Sequence, residues 1–210
     1  MSIYQKTLAT EVKTTGIGLH SGRKVVLTLK PAPVDTGVVF RRVDVDASLD
    51  IQARGEYVID TRMATTLAHP DNPQARVLTI EHLMSALAGV GVDNVIVEVN
   101  APEIPIMDGS ATSFVYLITS AGLVEQNAAR KFIRIKQSVG VVDGDKTARL
   151  DPYFGFKARF DIDFDHPAIE ETGNHFEVDF VGDAFIHQIS RARTFGFIQD
   201  VEALRGLGLA

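Results

Sequence analysis

Two stretches of this chain read alike, and a repeated order of elements narrows the choice of fold more than any composition does. Gly16-Ile17-Gly18-Leu19-His20-Ser21-Gly22-Arg23-Lys24 reads as a strand running into a tight turn; Val25 to Leu29 alternates as a strand, Pro31-Ala32-Pro33 ends it, and Gly37 to Val43 supplies the next. Past residue 130 strands return: Phe132 to Ile135, Val139 to Val142, the turn Asp143-Gly144-Asp145-Lys146, and Thr147 to Leu150, closed by Asp151-Pro152. Phe156 to Phe164 follows, with Phe156, Ala158, Phe160, Ile162 and Phe164 on one face. Lys24 and Pro31 are answered by Lys146 and Pro152. Repeats of this kind predict one structural unit built twice, here an α+β protein divided at 1–128 and 129–210. A second copy would still owe a strand and a helix after residue 210, so the chain is expected to be a piece of a longer protein.

Two helices punctuate the first half. Ile80, Leu83, Met84 and Leu87 form one apolar stripe, with Thr79 placed to cap the helix and Gly89 to close it. A strand, Val92 to Val99, separates it from a helix that Ser110 caps, that buries Phe114, Leu117 and Ile118, and that stops near Gly122. Arg62 to Leu67 is a further strand candidate, and His69 to Arg76 reads as a variable loop. In the second half a strand is expected over Phe176 to Phe180, a helix over Ala184 to Ile189 capped by Asp183, and a short helix over Ile198 to Leu204.

Composition then removes whole classes of function. A net charge of −6, with no run of Lys and Arg longer than two, gives no electrostatic footprint for nucleic acid or for an anionic membrane surface. The absence of cysteine excludes disulfides, thiolate nucleophiles and Cys-based zinc sites. No apolar run approaches the roughly 20 residues of a membrane span, and the first residues have no apolar signal region. A soluble cytoplasmic protein with a small-molecule substrate is expected; oligomeric state is not readable.

Thr79-Ile80-Glu81-His82-Leu83 is the strongest local feature. Residues i and i+1 of a helix point about 100° apart, and the apolar stripe needs neither Glu81 nor His82. In a zinc hydrolase such a pair divides the labour: a neutral imidazole binds metal, and a carboxylate takes a proton from water. The bland alternative is an acid favouring the helix dipole beside a solvated histidine, and the dipeptide alone favours that. His20, beside a turn, is either a pocket residue or solvated. In Ser190-Arg191-Ala192-Arg193-Thr194-Phe195-Gly196-Phe197, the arginines suit a phosphate or carboxylate and Thr194 a reacting oxygen. The same residues also suit a helix end followed by core phenylalanines. Pro102 to Ser110 reads as a stiff architectural loop.

Taken together, Thr15 to Gly22, Thr79 to Leu83, Ala101 to Ser110 and Ser190 to Phe197 resemble, in the right order, the UDP-3-O-acyl-N-acetylglucosamine deacetylase (LpxC) family of lipid A synthesis. The resemblance implies two similar domains, each a β-sheet layer on a pair of α-helices, the second incomplete in this chain. It implies Zn2+ as cofactor, Glu81 as general base, His82 as a zinc ligand and Thr194 as the residue that steadies the oxyanion. Phe195, Phe197 and Val201 would line an acyl-chain passage, Met63 and Phe164 would contact substrate, and His20 would mark a second, inhibitory metal position. The family's other ligands, a His and an Asp on one helix, have no counterpart in these 210 residues, which are therefore expected not to turn over substrate alone. The competing reading is a non-catalytic module that keeps the nucleotide and acyl-chain surfaces.

Overall fold

The computed structural model describes residues 3–164 and 166–206. Its contacts divide them into two units: residues 3–130 with 189–206, and residues 131–188. Residues 189–206 thus pack with the first unit.

The first unit is built on a five-stranded sheet ordered β2 (Val12–Ile17), β3 (Lys24–Pro31), β9 (Val95–Val99), β4 (Val38–Arg42) and β5 (Ile51–Gln52). All neighbours are antiparallel except β4 and β9. Strand β9 alternates strictly: Val95, Val97 and Val99 are buried while Ile96 and Glu98 are half-buried, the period of two that puts successive side chains on opposite faces. Val25, Leu27 and Leu29 of β3 join them in the core. Helices α1 (Glu81–Val90) and α2 (Thr112–Ala121) pack on each other and bury Leu83, Ala86, Leu87, Phe114, Val115, Ile118 and Ala121. Each large side chain among these stabilises the unit by about 1.5–3 kcal/mol.

Two smaller sheets complete the unit. Strand β1 (Tyr4–Leu8) pairs with β10 (Leu123–Ala129), bringing its two ends together. Strands β6 (Val58–Asp60), β7 (Thr66–His69) and β8 (Asn72–Val77) form the other. The loop expected over residues 69–76 is therefore a hairpin arm. Its Pro73 is tolerated because β8 is an edge strand and the residue is exposed. The strand expected over 62–67 begins only at Thr66, because residues 62–64 form a bend.

Helix boundaries also differ from expectation. Helix α1 runs on past Gly89 to Val90, and the left-handed closing position falls on Gly91 (φ 85°), whose N–H donates to the carbonyls of Leu87 and Ala88. Thr79 does not cap α1: it sits at φ 58°, and its hydroxyl is committed elsewhere. Ser110 does meet α2, where its Oγ accepts the N–H of Thr112.

In the second unit β11 (Val139–Asp143) pairs with β12 (Lys146–Leu150), and β13 (Lys157–Asp161) with β14 (His175–Asp179). Helix α3 is Pro167–Thr172. Residues 132–135 are not a strand, and Ile133 is 93% exposed. The expected apolar face of Phe156 to Phe164 is not buried either, since Phe156 and Phe160 are exposed; Val178 and Phe185 are the buried apolar residues. The segment Phe185–Ile189 coils as a π-helix rather than an α-helix, and α4 is Ile198–Gly206. No described helix is long and apolar enough to cross a membrane.

Candidate active site

Glu81 and His82 open α1, both half-buried. Oε2 of Glu81 accepts the backbone N–H of Thr65 at 3.0 Å, which ties the carboxylate to the bend between β6 and β7. Met63, in that bend, holds φ 61° with its side chain exposed. Two more non-glycine residues in the left-handed region flank the helices of this unit: Thr79, just ahead of α1, and Met107, in the loop before α2. Such backbone costs about 1–3 kcal/mol per residue, persists only where the surroundings over-determine it, and concentrates at functional sites.

Those surroundings are the loop Ala101 to Ser110. Ile104 N–H donates to Leu78 O, Leu78 N–H to Pro102 O, and Ile106 N–H to Ile17 O. The loop is thereby sewn to the segment leading into α1 and to the end of β2. Glu103, at 0% exposure, is its anchor. Oε1 accepts the N–H of His20 at 2.9 Å and the hydroxyl of Thr79 at 3.0 Å; Oε2 accepts the N–H of Ser21 at 2.8 Å. Glutamate is almost never wholly buried unless its oxygens are matched, and three donors match them.

At its other end the loop is held by Asp108, whose carboxylate accepts the N–H and Oγ–H of Ser110 and the hydroxyl of Ser113. Burial works against its charge, but those donors outweigh it and keep Asp108 below the ordinary carboxylate range. Gly109 O then accepts the N–H of Thr194, 2.9 Å away. Phe195 and Phe197 follow, their rings edge-to-face with centroids 5.8 Å apart, and Phe197 O accepts the N–H of Val201 in α4.

One loop thus holds the turn of His20, the entry to Glu81 and His82, and the segment of Thr194, Phe195 and Phe197. Phe164, 36% exposed, belongs to the unit of residues 131–188. Sequence reading missed Glu103 and treated its loop as architecture. The signal was there: an acid inside Ala101-Pro102-Glu103-Ile104-Pro105-Ile106, where every neighbour is apolar.

Among the described residues no group of three or more His, Cys, Asp or Glu could hold a metal ion. His82 with its described neighbours therefore does not fit a catalytic zinc, which takes three protein ligands and leaves one position open.

Residues 5–210 match the family described as LpxC: UDP-3-O-acyl N-acetylglycosamine deacetylase. The UDP-3-O-acyl-N-acetylglucosamine deacetylase of Idiomarina loihiensis is 58% identical over 208 residues, covering 99% of this chain and 67% of that protein. The chain belongs to the LpxC family of deacetylases.

Proposed function

We propose that the protein acts in lipid A biosynthesis on UDP-3-O-acyl-N-acetylglucosamine, hydrolysing its acetamide. Glu81 is the general base. Its Oε2 takes the Thr65 N–H, which orients the carboxylate and leaves Oε1 to accept a proton from the attacking water. Thr194 Oγ donates to the oxyanion as the carbonyl carbon becomes tetrahedral. Met63 and Phe164 contact the substrate, and Phe195, Phe197 and Val201 take the acyl chain. The same reading takes the fold as two similar sheet-plus-helix domains.

Zinc belongs to this reading, with His82 as one ligand and His20 as a second, inhibitory position, but the described residues do not complete a donor set. The proton transfer and the oxyanion contact rest on Glu81 and Thr194 alone. The observation that carries the proposal is the convergence of three separate segments, those of His20, Glu81-His82 and Thr194, on the single loop 101–110 in a chain of this family.

The test is a titration of the 15N-labelled protein with UDP-3-O-acyl-N-acetylglucosamine, followed by acetate release in the presence of zinc. Amide shifts should gather at Met63, Thr65, Glu81, His82 and 194–197. Any turnover should fall about hundredfold in Glu81→Gln, which keeps an acceptor for Thr65 and so keeps binding. Shifts confined to other residues, or acetate that the parent protein releases and Glu81→Gln releases undiminished, would remove the proposal.

A further inference from the structure

Glu103 lies outside the set Glu81, His82 and Thr194, yet its carboxylate touches both the turn of His20 and Thr79 in the link that leads into α1. We propose that Glu103 is the positioning residue of this site: it clamps the turn Gly18–Ser21 and the Thr79 entry to α1 into one body. His20 and the Glu81-His82 pair then keep a fixed relation. The role rests on the function proposed for Glu81 and His82.

The geometry supports a clamp rather than filler. Both oxygens are used, and Oε1 itself bridges distant parts of the chain: it takes His20 of the β2–β3 turn and Thr79 of the link between β8 and α1, while Oε2 takes Ser21 of the turn. The fit is close. A Cβ at Gly18 would collide with Oε2 of Glu103 and with Oγ of Ser21, so only glycine lets the turn approach this carboxylate. Thr79 is 3% exposed and holds φ 58°, a costly conformation for a β-branched residue, while its hydroxyl donates to Oε1. The Leu78–Glu103 bridge lies beside that bond. Without the carboxylate, nothing else among the bonds of His20, Ser21 and Thr79 joins the turn to α1.

Amide hydrogen exchange on the 15N-labelled protein tests the clamp. Leucine at 103 keeps most of the side-chain volume and removes both acceptor oxygens, so it serves neither side. Glu103→Leu should speed exchange at His20 and Ser21, and at Thr65, whose N–H reports on Glu81, each by about tenfold or more. The amides of Leu83 and Phe114 should keep their protection. Thr79→Val alters only the α1 side, and it should nevertheless speed exchange at His20 and Ser21; Thr79→Ser, which restores the hydroxyl, should return them to the parent rates.

Three results would overturn the proposal. One is unchanged exchange at His20, Ser21 and Thr65 in Glu103→Leu. Another is Thr79→Val loosening Thr65 while leaving the His20 turn as it was. The third is equal loss of protection at Leu83 and Phe114, which would make Glu103 a contributor to global stability only. Failure of the functional reading is seen separately, in the substrate titration of the parent protein. If Glu81 and His82 do not respond there, that reading is lost, while the exchange rates still decide the clamp.

Discussion

Thr194 donates its backbone N–H to the carbonyl of Gly109 at 2.9 Å, and with that bond a stretch near residue 200 is fastened to the loop that precedes α2. A second tie lies beside it: Oγ1 of Thr112 donates to Ser190 O at 2.9 Å. These two bonds place Thr194 in the unit that carries Glu81 and His82.

Thr112→Val keeps the shape of the side chain and removes its donor. The carbonyl of Ser190, a residue only 2% exposed, then loses that partner, so the substitution should cost about 1 kcal/mol. Urea unfolding measures that cost. Amide exchange should show the loosening concentrated at residues 190–197, with α1 unaffected.

Arg42 is 5% exposed, and its guanidinium forks onto both oxygens of Asp44 at 2.8 Å while Nη1 donates to Arg76 O. The guanidinium also holds Asp44 below the ordinary carboxylate range. Arg42→Ala leaves the Arg76 carbonyl unmatched and opens space beneath β4 and β8. Because Asp44 is partly solvated, the loss should be about 2 kcal/mol, read as a lower urea midpoint with an unchanged slope.

Gly91 closes α1 at φ 85°, and a Cβ there would meet nothing nearer than the Arg130 guanidinium nitrogens at 3.9 Å. Space is not the constraint; the backbone angle is. Gly91→Ala should therefore destabilise by about 1 kcal/mol, visible in thermal unfolding, with the packing of Leu83 and Leu87 preserved.

Asp108 has its folded pKa lowered by the Ser110 and Ser113 donors, against burial. The sign follows: its contribution is complete above the unfolded carboxylate pKa of about 4 and disappears as pH falls through the lower folded value. Carboxyl carbon shifts should show Asp108 titrating below the ordinary aspartate range. Asp108→Asn should flatten the loss of stability below about pH 4. An Asp108 that titrates at the ordinary value would contradict this.

Much of the first unit was legible because its signals are local. The period of two in Val95 to Val99, the stripe of Leu83 and Leu87, and Gly122 after α2 each report a neighbourhood of a few residues. Ends were harder to read. Whether Gly89 or Gly91 closes α1 depends on where the last carbonyls find donors. Whether Phe132 to Ile135 becomes a strand depends on a partner strand that no local pattern encodes. The pairing of β1 with β10 is hidden from local patterns for the same reason.

For the candidate site the division is sharper. The string of Thr79 to Leu83, read by itself, determined that an acid and an imidazole would start an amphipathic helix, and the run Ala101 to Ile106 already contained a lone acid among apolar neighbours. Only the tertiary structure decided that this acid would accept from His20, Ser21 and Thr79 at once, and that Gly109 would receive Thr194. Periodicity reports which face of an element is apolar, but hydrogen bonds between distant segments depend on donors and acceptors meeting within about 3 Å. That distance is set by the packed chain, not by spacing along it.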